Sequence, residues 1–199
     1  HEVLERAVQL TARAQSDAGG WIYTPTANGD EGSVTITQVQ ALRSCRNAGL
    51  TVPKDVIDDA MEYLVASQNS DGGIRYSLRQ HGGESRPPIT AAAVCCWYNA
   101  GEYANPRAKK ALEFSKDRIR PTGTSGGHDF YAHLYLSQAL YVSSDPYWEE
   151  YFPLRRDYML SIQQADGAWF GDGVGDIYGT AVALIILQLP YNQLPIMQR

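Results

Sequence analysis

The segments Gln15 to Trp21, Gln68 to Ile74 and Gln163 to Trp169 share one pattern: a Gln, an Asp/Gly turn, then a Trp or Ile. A recurring unit constrains architecture more than composition can, because every copy must offer the same faces to its neighbours. The copies also agree upstream of each Gln. Arg6, Ala7 and Leu10 precede Gln15; Asp59, Ala60, Tyr63 and Leu64 precede Gln68; Arg155, Arg156, Tyr158 and Met159 precede Gln163. A degenerate copy, Lys110, Ala111 and Phe114, keeps the helical half of the pattern but carries Ile119 at the Gln position. The period of about fifty residues leaves room for two helices and their loops. The expected organisation is a single domain over 1–199, with units of about 1–53, 54–105, 106–146 and 147–190 and a C-terminal tail 191–199; no Pro/Ser/Gly-rich linker interrupts it.

Each unit pairs two kinds of helix, so the fold class is all-α. In the second unit Val56, Ile57, Ala60, Met61, Leu64 and Val65 recur at three- and four-residue steps, with Asp58, Asp59, Glu62 and Ser67 between them. That is one buried stripe and one wet face. By contrast, Ile89 to Trp97 and Ile177 to Leu187 carry almost no charge. A helix apolar all round is expected to be surrounded by protein, which makes these the inner helices and the amphipathic ones the outer helices.

Those apolar runs fall short of the roughly twenty residues a membrane span requires, so no membrane-spanning segment is expected. A net charge of -5 and basic residues scattered along outer helices exclude nucleic acid as a partner class. Arg155–Arg156 and Lys109–Lys110 read as solvated faces. Cys45, Cys95 and Cys96 fall on inner helices as small buried hydrophobes. Cys95 and Cys96 splay about 100° apart on a helix and cannot share a metal, so neither a metal nor another cofactor is expected. The chain begins at His1 with no charged or apolar leader, as expected of a processed or excised product; its compartment is not readable.

Connections from inner to outer helix are short (Asn47 to Pro53, Glu102 to Pro106, Ser143 to Pro146), whereas those from outer to inner are long and polar. In stacked hairpins the long loops, 22–34, 75–88, 118–129 and 170–177, emerge at one end and form a common mouth. The mouth gathers Tyr23, Asp30, Glu31, Arg75, Tyr76, His81, Glu84, Arg86, His128, Asp129, Tyr131, Asp172, Asp176 and Tyr178. Inner-helix N-termini would add N–H groups that favour an anion there. Asp30, Asp129 and Asp176 also suit a helix-capping role. His128 and His133 lie roughly 140° apart on a helix and do not share a face.

The motif of a basic residue, Ala, an aromatic, Gln and Gly-x-Trp resembles the QW motif of the prenyltransferase and squalene-oxidase repeat family, which includes squalene-hopene cyclases and protein prenyltransferase β subunits. It also resembles uncharacterised bacterial repeat proteins. The resemblance implies an α/α toroid, with inner helices ringing an apolar cavity. Such rings usually hold five or six hairpins. With four, earlier hairpins are missing, the ring is open, or it closes on a protein partner or by self-association. Gln and Trp of the motif read as a structural staple, the Gln amide meeting free backbone groups at the end of the outer helix. No Asp-x-Asp-Asp or Asp-x-Cys segment occurs in this chain, so neither family mechanism is expected intact.

The favoured expectation is a toroid binding an apolar or isoprenoid-like ligand, or a protein partner, through its cavity and mouth. Tyr131, Tyr135, Tyr178 and Trp97 would line the cavity, where aromatic faces attract cations, and Arg75, Tyr76, His81, Glu84 and Arg86 would surround the mouth. The alternative is a terpene cyclase or prenyltransferase-like enzyme with Asp129, His133 and Asp176 as acid/base groups. A carbohydrate-active enzyme using paired carboxylates is the third possibility.

Overall fold

The computed structural model describes residues 1–79, 83–123 and 127–193. Eight α-helices alternate in chain order: α1 (Glu2–Ala14), α2 (Gly32–Asn47), α3 (Lys54–Ser67), α4 (Pro87–Asn99), α5 (Pro106–Arg118), α6 (Asp129–Ser143), α7 (Trp148–Ser161) and α8 (Asp176–Gln188), followed by a 3-10 turn at Leu189–Tyr191. No strand occurs among the described residues, so the fold is all-α, built as four consecutive helical hairpins. The even-numbered helices form a row, α2 against α4, α4 against α6 and α6 against α8.

The inner/outer distinction holds along most of the row. Every residue of α4 from Ile89 to Tyr98 is buried, and Val56, Ala60, Met61 and Leu64 form the buried stripe of α3. Cys95 Sγ faces the Tyr135 carbonyl of α6 at 3.2 Å, while Cys96 Sγ faces the Ile36 carbonyl of α2 at 3.8 Å. The helical splay of neighbouring residues thus sends the two thiols to opposite neighbours, and burial pushes both up in pKa. At the end of the row the expectation fails. α8 is as apolar as α4, yet Ile177 is 92% and Leu184 52% exposed, because no described helix packs beyond it.

The repeated motif joins hairpins. Gln15 Nε2 donates to its own turn at Gly19 O and to Val56 O in the first turn of α3, both at 2.9 Å. Gln68 Nε2 does the same with Gly72 O and Arg107 O of α5, both at 3.0 Å. The amide therefore serves the next hairpin rather than the end of its own helix. Gly19 and Gly72 have positive φ and lie flat against the backbone of Asp59 and Lys110, where a Cβ would collide. Trp21 and Trp169 close the junction, donating through Nε1 to Thr11 O at 2.8 Å and Met159 O at 2.7 Å.

A second recurring clamp was not anticipated. The backbone N–H groups of Trp21, Ile74 and Trp169 donate to Thr35, Thr90 and Thr180 Oγ1 at 2.8 to 3.0 Å. A Thr about one turn into each of these inner helices is the sequence signal for it.

Candidate functional site

The long loops meet as expected, but at two places. Tyr23 and Ser33 of the first hairpin, Tyr76, Arg86, Pro87, Pro88 and Ile89 of the second, and His128 and Tyr131 of the third line a cavity of about 510 Å3. Gly127, Asp129 and Phe130 of the third hairpin line another, of about 480 Å3, with Tyr158, Ile162, Phe170, Asp172 and Gly173 of the fourth.

In the first cavity the Tyr23 and Tyr76 hydroxyls pair at 3.1 Å, and the Arg86 guanidinium lies 5.8 Å from the centre of the Tyr76 ring. Pro87 and Pro88 supply an apolar wall and open α4, where missing N–H groups cost nothing. Tyr131 meets Tyr135 edge to face at 4.8 Å. Its hydroxyl is buried and makes no hydrogen bond among the described residues. Burial, then the neighbouring Tyr135, pushes the Tyr131 hydroxyl well up in pKa, so it is a neutral donor.

Beside the second cavity, Asp129 Oδ2 accepts from Arg155 Nη2 at 2.8 Å, and His133 Nε2 lies 3.4 Å from Asp129 Oδ1. His133 Nδ1 is 2.6 Å from Tyr151 Oη, which is 3.1 Å from Ser137 Oγ. Burial alone would raise the Asp129 carboxyl, but His133 and the Arg155 charge outweigh it and hold it below the usual range. Burial lowers His133 despite Asp129, leaving it neutral. Burial also pushes Tyr151 up, so it stays protonated. A neutral ring between a Tyr hydroxyl and a carboxylate takes the tautomer with Nε2–H towards Asp129 and Nδ1 accepting from Tyr151.

Arg155 is thus fully buried rather than solvated, with Nε and Nη1 lacking partners among the described residues. Its guanidinium lies 5.3 Å from the Tyr158 ring centre. It occupies the register position held by Ala60 and Ala111 in the preceding outer helices. The third unit has Ile119 in place of the Gln, and the buried ion pair joins its hairpin to the fourth instead. Arg156, next in sequence, pairs at the surface with Asp157.

Two inner-helix N-termini, those of α2 and α6, are already occupied by carboxylates of the chain itself, which removes them from the expected use for an external anion. Glu31 caps α2, accepting from the Ser33 and Val34 amides at 3.0 and 2.8 Å. Asp172, from the loop before α8, accepts from the Phe130 and Tyr131 amides of α6 at 2.9 and 3.0 Å and from Tyr178 Oη at 3.2 Å. Asp30, expected as a cap, instead accepts from Tyr63 Oη and Leu78 N of the second hairpin. Asp129 and Asp176 stand as the first residues of α6 and α8, not as their caps.

The remaining candidates scatter. Asp176 is exposed and accepts from Gln164 Nε2 at 2.9 Å, so it does not join Asp129 and His133 in their buried network. Arg75 turns back on the last carbonyls of α3, donating to Ala66 O at 3.0 Å. Tyr135 and Trp97 are buried in the main core, and Trp97 Nε1 has no partner among the described residues. Glu84 is exposed, and His81 lies outside the described residues. No group of three potential metal ligands occurs among the described residues, and none of their helices is long and apolar enough to cross a membrane.

Fold and site together define a class: an all-α row of helical hairpins with cavities at its long-loop end. No protein-family model and no curated protein matches the sequence. Among 21 solved chains of matching structure is the Lin0763 protein from Listeria innocua, at a TM-score of 0.59 and 11% identity. The match covers 94% of this chain and 63% of that one, and at this identity it shows the fold alone.

Proposed function

We propose that this chain is a binding domain of the prenyltransferase and squalene-oxidase repeat type, with its hairpins arranged as part of a toroid. Its ligand has an apolar, isoprenoid-like body and a polar head, held in the cavity between Tyr23, Tyr76, Arg86 and Tyr131. The Tyr23–Tyr76 hydroxyl pair beside the Arg86 guanidinium carries this reading. These groups offer hydrogen-bond partners to a polar head at one side of a space of about 510 Å3. Pro87, Pro88, Ile89 and the tyrosine rings suit a hydrocarbon body, and the Arg86 guanidinium suits a polar head that accepts hydrogen bonds. Since Glu31 and Asp172 fill the N-terminal ends of α2 and α6, a diphosphate gains no stabilisation from those two ends.

Titration calorimetry with farnesol, farnesyl diphosphate and inorganic diphosphate tests the reading. Farnesol should bind, and Tyr76→Phe should weaken it about tenfold, the value of one hydrogen bond. Absence of heat with both isoprenoids, or affinities indifferent to Tyr76→Phe, overturns the proposal.

One observation favours a catalytic second reading: Asp129 and His133 are paired at the edge of the other cavity. Turnover of an isoprenoid diphosphate by the parent protein, lost in His133→Gln while binding persists, would establish it.

A further inference from the structure

The joints between the first three hairpins follow one register. Gln15 and Gln68 each reach a carbonyl in the first turn of the next outer helix, at Val56 and Arg107. Three residues further along that helix, the backbone of Asp59 or Lys110 presses on Gly19 or Gly72. After four more, the ring of Tyr63 or Phe114 fills the space over Gly20 or Gly73, so close that a Cβ would stand 2.9 or 2.8 Å from ring carbon. One helix after another enters the same socket.

The fourth hairpin builds the socket again and no described residue fills it. Gln163 Nε2 donates to Gly167 O at 2.8 Å and has no second acceptor among the described residues. Gly167 keeps its positive φ of 90°, yet a Cβ there would meet only Gln163 Nε2, at 3.9 Å. Leu184 stands four residues after Thr180, as Val39 and Val94 stand after Thr35 and Thr90. Both valines are buried, whereas Leu184 and Ile177 are exposed.

The opposite end of the chain carries the matching helix. In α1, Val3, Ala7 and Leu10 occupy the register of Val56, Ala60 and Tyr63. Those three are buried in α3; in α1 Ala7 is exposed, Val3 is 69% exposed and Leu10 49%. Side-chain size at the joint also matches. Ala168 stands where Gly20 and Gly73 lie, so its methyl occupies the space that an aromatic ring fills at the other joints. Leu10, at that register position in α1, is shorter than Tyr or Phe.

We propose that the end formed by Gln163, Gly167, Ala168 and the exposed face of α8 receives α1 of a second copy of this chain, so that copies associate head to tail. The interface is heterologous: each copy contributes a socket at one end and a helix at the other, continuing the joints already made within the chain.

Sedimentation velocity on the whole chain over a concentration series tests this, with Leu184→Arg blocking the socket and Leu10→Arg blocking the helix. Both sites are exposed, so far-UV circular dichroism and melting should be unchanged; Ile177→Asp and Val3→Asp repeat the test should either variant lose helicity. The parent protein should self-associate, and each single variant should weaken association about tenfold or more. Mixing the two should restore a one-to-one pair, because one keeps its socket and the other its helix. A parent that is monomeric throughout, association indifferent to these changes, or a mixture that stays monomeric overturns the proposal. The last two outcomes point to a symmetric interface or to a different occupant.

Discussion

Arg155 Nη2 lies 2.8 Å from Asp129 Oδ2 with both side chains buried, an ion pair that ties α7 to the start of α6. Removing one partner of such a pair leaves the other as an uncompensated charge in a poor solvent. Arg155→Ala should therefore cost about 3 kcal/mol or more, even though Ala fills the same register position elsewhere. Because Asp129→Asn removes the stranded charge, the double variant should cost clearly less than the sum of the singles, with a coupling of about 1–3 kcal/mol. Urea unfolding of the four proteins measures it, and additive effects would show that the pair contributes nothing.

Acid should weaken the fold in two stages. The pKa of His133 is lowered in the folded chain, so below about 6.5 the unfolded chain takes up the proton first and stability falls as pH drops towards the folded-state value. Asp129, also lowered, contributes stability above 3.8 that is lost as pH falls through its folded value. Melting temperatures from pH 8 to 3 should show both stages. His133→Gln should flatten the stage between pH 7 and 5; an unchanged slope there would assign it to other groups.

The same substitution at two copies of the motif should differ in effect. Gln68→Ala forfeits bonds to Gly72 O and to Arg107 O and should cost about 1–2 kcal/mol. In the unassociated chain, Gln163→Ala forfeits one exposed bond within its own turn and should stay within about 0.5 kcal/mol. Equal losses in urea unfolding would mean that the bond to the next helix is worth nothing.

Glycine replacement separates backbone strain from steric contact. In the unassociated chain Gly167→Ala meets open space, so only its positive φ resists, at about 1–2 kcal/mol. Gly72→Ala meets the same φ cost and also drives a methyl into Lys110, so α5 must shift and the loss should be clearly larger. Thermal melts of the two variants should be several degrees apart.

Thr90→Val keeps shape but removes the acceptor for the buried Ile74 N–H. An orphaned buried donor costs about 1–3 kcal/mol. Thr90→Ser, which restores the oxygen, should recover most of it, and failure of that rescue would make the methyl group the important feature.

Repetition made the architecture legible: the spacing of Gln, Gly and Trp placed four hairpins, and the change from one-sided to all-round apolarity separated α3 from α4. Periodicity says nothing about ends, so it could not show that no described helix packs beyond α8. The site was legible as a region. Loop lengths brought Tyr76, Arg86 and Tyr131 to one cavity, while Arg75, from the same loop, folds back onto α3. Partners far apart in sequence stayed hidden, as with Asp172 capping α6 across 42 residues. Arg155 was the missed signal: a long cation at a position otherwise held by Ala cannot pack there without a buried counter-ion.

The core itself is divided. Phe130, Met159, Trp169, Val182, Ala183 and Ile186 form a cluster of their own, apart from a larger one that runs through the first three hairpins and takes in Tyr151 at the start of α7. In a repeat, each unit draws stability chiefly from its neighbours, so regions can open at different free energies. Amide hydrogen exchange should then reveal at least two protection classes. The elements of the smaller cluster, α8 and the end of α7, would exchange first, and the buried stretch of α4 last.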